Sequence, residues 1–316
     1  MHVSVVIPVY NEEETLPFLK KAVDEALKEV DFSWQAILVN DGSKDKSWDL
    51  MREIATNDPI HYKSILLRRN FGQTAAIAAG IDHADGDVIV LMDADLQNDP
   101  LDIPMLVDKI NEGYDVVSGW RYNRQDNVLR KLPSHLANGL ISWVTGVHLH
   151  DYGCTLKAYR REVLTGFRLY GEMHRFIPVY ANTVGARLLE VRVNHHARKF
   201  GKANYGLERT FKVILDLFTV KFLNQYSNKP IYLFGGTGIV MMLISLAALF
   251  YLFVRRVFFE ISILGSPIFQ MSTMVFILGF QSILMGLIAE LLVRTYHESQ
   301  NKRTYTIREI VDGNES

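Results

Sequence analysis

Two uncharged runs near the C-terminal end constrain this chain more than any other feature. Tyr232–Val254 holds 23 residues without an acid or a base, and a second run extends from Ile261 to Ala289. Roughly 20 apolar residues let a helix cross the hydrocarbon core of a bilayer, and buried core helices seldom stay uncharged that long. Only Arg255 to Pro267 separates the runs, so they read as a hairpin with spans at 232–254 and 268–292 and both ends on one side. Lys221, Lys229, Arg294, Lys302, Arg303 and Arg308 flank its outer ends, against Arg255 and Arg256 in the loop. Basic residues favour the cytoplasmic side, so an inner-membrane protein with both termini cytoplasmic is expected. Met1-His2-Val3 leads straight into a strand, and no cleavable leader is expected. Gly238 and Ser245 on one span, and Gly279 and Gly286 on the other, repeat at seven and would let helices approach closely.

The remainder reads as a soluble α/β protein. With 34 basic against 35 acidic residues, the chain lacks the positive surface of a nucleic-acid binder, and none is expected as a partner. A single cysteine, Cys154, excludes an internal disulfide. Apolar runs at Val3–Ile7, Ala36–Val39, Ser64–Leu67, Val88–Met92 and Asp115–Gly119 alternate with helical patterns: one carrying Leu19, Val23, Ala26 and Val30, one at Gln73–His83 and one at Leu101–Asn111. That alternation predicts a mostly parallel sheet covered on both faces, and such sheets bind ligands beyond the carboxyl ends of their strands. The residues placed there are Tyr10-Asn11-Glu12, Asp41-Gly42-Ser43, Arg69-Asn70, Asp93-Ala94-Asp95 and Arg121. No Gly-x-Gly-x-x-Gly or Walker lysine motif follows the first strand, against dinucleotide and P-loop chemistry.

Asp93-Ala94-Asp95-Leu96-Gln97 is the most informative stretch. Alone, Asp-x-Asp is a weak signal and more often a turn or a cap. After a buried fourth strand, with Asp41 at the end of the second, it suits a hard divalent cation, Mg²⁺ or Mn²⁺, shared with substrate phosphates. His148/His150 and His195/His196 lack the spacing of a zinc site.

Val5-Val6-Ile7-Pro8-Val9-Tyr10-Asn11-Glu12, Asn40-Asp41-Gly42-Ser43, Arg69-Asn70-Phe71-Gly72 and Asp93–Gln97 together resemble family 2 glycosyltransferases of the GT-A fold. Gly119-Trp120-Arg121, Asp151-Tyr152-Gly153-Cys154-x-x-Lys157 and Phe200-Gly201-Lys202-x-Asn204-Tyr205 resemble the polyprenyl-phosphate glycosyltransferases among them. These include dolichyl-phosphate mannose synthases, aminoarabinose transferases and, by this reading most closely, bactoprenol glucosyltransferases. Asn40 departs from the second Asp of many relatives. The resemblance implies that Pro8, Tyr10, Glu12, Asp41, Arg69 and Asp93 hold a UDP-sugar. It assigns Asp93, Asp95 and Gln97 to the metal, and Arg121, Arg130, Ser134, Arg198 and Lys202 to the acceptor phosphate. Guanidinium forks match phosphate oxygens, although each base also has a plain reading as a solvated surface charge.

The implied reaction is inverting displacement at the anomeric carbon by the phosphate of polyprenyl (undecaprenyl) phosphate, with glucose the first choice of sugar. An aminoarabinose derivative, an N-acetylhexosamine or mannose are the alternatives. A phosphate monoester, with a second pKa of about 6, is already ionised near neutral pH, so little general base is needed. Asp151 is the carboxylate candidate for orienting or deprotonating the acceptor, with Arg121 beside it as a catalytic candidate. Rival readings are a polysaccharide-forming transferase using hydroxyl acceptors and a catalytically inactive scaffold or sugar-nucleotide sensor. Residues 1–206 are expected to form the catalytic domain, 207–230 amphipathic interfacial helices, 231–293 the hairpin and 294–316 a tail. The resemblance and the small-residue faces imply a homo-oligomer, a tetramer among the options. A separate lipid-sugar flippase and a downstream glycosyltransferase are the implied functional partners.

Overall fold

The computed structural model describes residues 1–122, 138–139, 141–142, 145–164, 169, 173–197, 231–259, 266–299 and 304–312. It forms two compact units, Met1–Val220 with Arg303–Ser316, and Lys221–Lys302.

The first unit is built on one eight-stranded sheet. Its strands are β1 (His2–Val9), β2 (Ser33–Asn40), β3 (Tyr62–Leu67), β4 (Val88–Leu91), β5 (Val116–Trp120), β6 (Lys157–Arg160), β7 (Leu188–Arg192) and β8 (Ile307–Val311), in the order β7-β5-β6-β4-β1-β2-β3-β8. β1 pairs in parallel with β2 and β4, β2 with β3, and β5 with β7. β6 runs antiparallel between β4 and β5, and β8 antiparallel along β3. Val3, Val5, Val6, Ile7 and Val9 of the central β1 are fully buried. A strand buried on both faces is apolar on both, and the buried exception, Ser4, accepts Gly86 N–H at 2.9 Å.

The helices α1 (Leu16–Ala26), α2 (Ser47–Asn57), α3 (Gln73–Asp82) and α4 (Ile103–Asn111) supply the cover. α1 starts beside Pro17 and buries Leu16, Leu19, Val23 and Ala26 on one stripe. Burying a leucine or valine side chain contributes about 1.5–3 kcal/mol, so the stripe, rather than any cap, fixes this helix. The strand and helix positions expected from the sequence recur within a few residues. Other features were not expected, α2, β6 and β7 among them. A 3₁₀ turn at Pro100–Asp102 precedes α4, and the expected tail contains β8, while the second long helix runs on to Ser299. β8 is fastened by Arg52 to Glu309 (2.8 Å), Lys63 to Asp312 (2.8 Å) and the Tyr305 hydroxyl donating to Asp82 (2.7 Å).

The second unit is a pair of long helices, here α7 (Ile231–Phe259) and α8 (Pro267–Ser299), numbered after the short α5 (Arg161–Leu164) and α6 (Ile177–Thr183) of the first unit. Phe234–Phe258 and Pro267–Ala289 have mean hydropathies of 2.4 and 1.9, and only 17% of each apolar stretch is buried. Phe250, Phe258, Met271 and Leu292 are each more than 60% exposed, unlike residues of a water-soluble core. Where the helices meet, a Cβ on Gly238 would lie 2.5 Å from the Gly279 carbonyl oxygen, and one on Gly279 2.8 Å from that of Gly238. Ser245 donates to the Ser272 carbonyl at 2.5 Å and Ser282 to that of Phe234 at 2.8 Å. The small residues are thus used inside the helical pair, and they lend no support to the expected oligomer. The expected amphipathic helices at 207–230 lie outside the described residues.

Candidate active site

The parallel strands end on one edge of the sheet, and the loops leaving them are stitched together by side chains. After β1, Asn11 N–H donates to Ser43 Oγ (3.0 Å), Glu12 N–H to Ser47 Oγ (2.9 Å), and Lys44 N–H to Asn11 Oδ1 (2.9 Å). Pro8 is half-buried at the strand end and Tyr10 is exposed. The Glu12 carboxylate accepts from Thr15 Oγ1 at 2.6 Å, so it also supports the start of α1. After β2, the buried Asp41 accepts the N–H groups of Phe71 (2.7 Å) and Gly72 (2.9 Å) from the loop after β3. Burial raises its carboxyl above the usual range, against the pull of those two bonds. Gly42 makes this crossing possible. Its φ is +67°, and a Cβ there would lie 2.5 Å from the Arg69 carbonyl carbon. Arg69 itself is exposed, stacked over the Phe71 ring at 4.4 Å.

After β4 come the paired carboxylates. Asp93 Oδ1 accepts from Gln73 Nε2 (2.7 Å) and Oδ2 from Thr155 Oγ1 (2.6 Å). Burial, then the facing Asp95 charge, hold the Asp93 carboxyl above the usual range; the Thr155 bond and the charges of Arg121 and Arg175 oppose them. Asp95 Oδ1 accepts from Gln97 N–H at 3.1 Å, closing a turn in which Leu96 takes a left-handed φ of 56°. Two like charges held together in a loop suit a divalent cation, which would relieve their repulsion. Among the described residues no group of three or more His, Cys, Asp or Glu side chains forms a cage. Paired carboxylate oxygens are the donor type that a hard divalent cation takes.

After β5 lies Arg121. Its Nε and Nη2 donate to Asp151 Oδ2 (2.7 Å) and Oδ1 (2.9 Å), a bidentate fork with both side chains largely buried. Burial works against the Arg121 charge, but the Asp151 carboxylate outweighs it and raises the pKa further. Asp151 Oδ1 also accepts Gly153 N–H at 3.1 Å. Its own N–H donates to Glu190 of β7 at 3.1 Å, and Glu190 also accepts from His150 N–H (2.9 Å). Both Asp151 oxygens thus already serve other donors.

Residues 4–167 match the profile of glycosyl transferase family 2. The chain is 40% identical to dodecaprenyl-phosphate galacturonate synthase of Rhizobium johnstonii, over 99% of this chain and 94% of that one. The chain belongs to glycosyl transferase family 2. This glycosyltransferase is also 39% identical to undecaprenyl-phosphate 4-deoxy-4-formamido-L-arabinose transferase of Klebsiella pneumoniae, over 98% and 93% of the two chains. Among solved structures it resembles glucosyl-3-phosphoglycerate synthase of Mycobacterium tuberculosis, solved with Mn²⁺, UDP and phosphoglyceric acid. That likeness has a TM-score of 0.54 at 20% identity, over 71% of this chain and 78% of that one, and it establishes the GT-A fold. The sugars in the two relatives' names are galacturonate and formamido-arabinose, where the sequence reading had put glucose first.

The site brings together the loops carrying Pro8, Tyr10, Glu12, Asp41, Arg69, Asp93, Asp95, Gln97, Arg121 and Asp151. Arg130, Ser134, Arg198 and Lys202 lie outside the described residues. Sequence reasoning missed Gln73 and Thr155, which grip Asp93, and Glu190, which holds the 150–151 backbone. It also missed Arg175, whose charge acts on Asp93. Thr155 lies at an unassigned position of the quoted Asp151–Lys157 stretch and Gln73 directly after Arg69-Asn70-Phe71-Gly72, while Arg175 and Glu190 sit in no motif.

Proposed function

We propose that this glycosyltransferase moves a sugar from a nucleoside-diphosphate donor to the phosphate of a polyprenyl phosphate at the membrane surface. The observation that carries the reading is the near full-length relation to two polyprenyl-phosphate sugar transferases. The exposed apolar surfaces of α7 and α8 support it, because the acceptor is a membrane lipid. The proposed donor is a UDP-sugar. Asp95, with Asp93 and Gln97, would hold a divalent cation that neutralises charge on the departing diphosphate. Asp41, with Pro8, Tyr10, Glu12 and Arg69, would take the nucleoside side. Arg121 would face the acceptor phosphate, joined by Arg130, Ser134, Arg198 and Lys202. A phosphate oxygen that is already ionised attacks the anomeric carbon and UDP leaves from the opposite face. Asp151, committed to Arg121, then aims the guanidinium rather than removing a proton.

Galacturonic acid and L-arabinose carry the same axial configuration at C4, where glucose is equatorial. The donor assigned here is therefore a UDP-sugar with an axial C4 substituent, since a pocket built to hydrogen-bond one orientation leaves polar groups unpaired with the other. The test is transfer to undecaprenyl phosphate by purified protein, with UDP-galacturonate, UDP-4-deoxy-4-formamido-L-arabinose and UDP-glucose compared. Turnover with either of the first two at ten or more times the UDP-glucose rate is expected. A preference for UDP-glucose would overturn the sugar, and no transfer from any donor would overturn the acceptor.

A further inference from the structure

Asp93 is held in an unusual way for a carboxylate facing another carboxylate. Both of its oxygens accept short bonds from neutral donors, Gln73 Nε2 at 2.7 Å and Thr155 Oγ1 at 2.6 Å. A lysine or arginine in either place would also fix the side chain, but it would cancel the charge. Neutral donors fix the direction and leave one lone pair on each oxygen for a ligand.

The two donors come from opposite sides of the site. Gln73 opens α3 directly after Phe71 and Gly72, whose N–H groups hold Asp41. Thr155 follows the turn whose Gly153 N–H binds Asp151, the partner of Arg121. That turn is pinned from beneath by the buried Lys157, whose ammonium donates to the carbonyls of Cys154 and Tyr152. Asp93 is thus the joint between the loop at Asp41 and the loop at Arg121, gripped once by each.

We propose that Gln73 and Thr155 are positioning residues that aim Asp93 at the metal-bound donor diphosphate. The inference rests on the donor reading above and is independent of which lipid or sugar is used. Thr155→Val keeps the side-chain volume and removes the hydroxyl, and Gln73→Met does the same for the amide. Each is expected to weaken UDP binding in the presence of Mn²⁺ by roughly ten- to a hundredfold, the usual cost of a hydrogen bond to a charged group. UDP binding in excess chelator is expected to stay at the wild-type level, and Thr155→Ser to restore the Mn²⁺-dependent affinity. Titration calorimetry of the full-length protein in detergent reads all of these without any acceptor. An equal loss with and without metal would assign the pair a purely structural role and overturn the inference, as would wild-type affinity in both variants. Should Thr155→Val fail to fold, Gln73→Met and the Thr155→Ser rescue decide it by the same criteria. Wild-type protein that does not bind UDP with Mn²⁺ would overturn the donor reading as well, which separates the two failures.

Discussion

Asp95 sits in the turn after β4, where its Oδ1 accepts Gln97 N–H at 3.1 Å. Asp93, by contrast, is gripped on both oxygens by Gln73 and Thr155, so replacing it would also loosen the loops they belong to. Asp95→Asn is therefore expected to leave the fold and its melting temperature unchanged while lowering transfer by at least a hundredfold. Wild-type-like turnover in that variant, or full turnover of the unaltered protein in excess chelator, would remove Asp95 from the metal site. Cys154 shows the opposite situation, a group the site encloses and does not use. Burial, then the Asp151 charge, push its thiol up to about 11. At pH 8 only about one molecule in a thousand then carries the reactive thiolate. Maleimide should leave native protein unmodified at pH 8 and add once when denaturant is present, as read by intact mass. A raised folded-state pKa means stability present below the ordinary thiol pKa and lost as pH rises through about 11. The melting temperature should accordingly fall more steeply with alkali in the unaltered protein than in Cys154→Ala.

At the scale of elements, β1 to β5 were legible because strands buried on both faces are mostly apolar, with Ser4, Ser64 and Ser118 among the buried exceptions. The site loops were legible for a related reason: polar residues directly after such strands, Asp41, Asp93 and Arg121, stand out against the runs before them. β8 was not. Ile307-Arg308-Glu309-Ile310-Val311 is short and carries two charges, and its partner β3 lies in the first quarter of the chain. Nothing local distinguishes such an edge strand from a tail. Gln73 and Thr155 were illegible for the same reason, since their partner Asp93 is 20 and 62 positions away and neutral side chains advertise nothing. The edge strand yields a prediction of its own. Ending the chain before Thr304 uncovers β3 and removes the bonds from Arg52, Lys63 and Asp82 to the returning segment. The surface pairs count for little singly, but a bare apolar edge invites pairing with other chains. The truncated protein is expected to melt at a lower temperature and to aggregate on size-exclusion chromatography. A melting point and elution volume equal to those of the full chain would show that β8 is dispensable.

For the whole molecule, the return of β8 bears on topology more directly than any count of basic residues. The chain leaves the sheet-bearing unit before α7 and re-enters the same sheet after α8. One sheet lies on one side of a membrane. If α7 and α8 both cross, their outer ends must share that side, and we propose from the six-to-two distribution of Lys and Arg around the spans that it is the cytoplasm. On that proposal the catalytic unit and a cytoplasmic donor share one side. The arrangement is checked with Thr304→Cys, just before the exposed start of the returning segment, and with Ser262→Cys between the spans. Cys154 needs no replacement, because it is buried and stays protonated at the labelling pH. In intact cells an impermeant maleimide should label Ser262→Cys only, and Thr304→Cys should react once the membrane is permeabilised. Labelling of Thr304→Cys from outside would put the catalytic unit on the wrong side for a cytoplasmic donor. Protection of both positions in intact cells, with both labelled on permeabilisation, would mean that the helices lie on the membrane without crossing it.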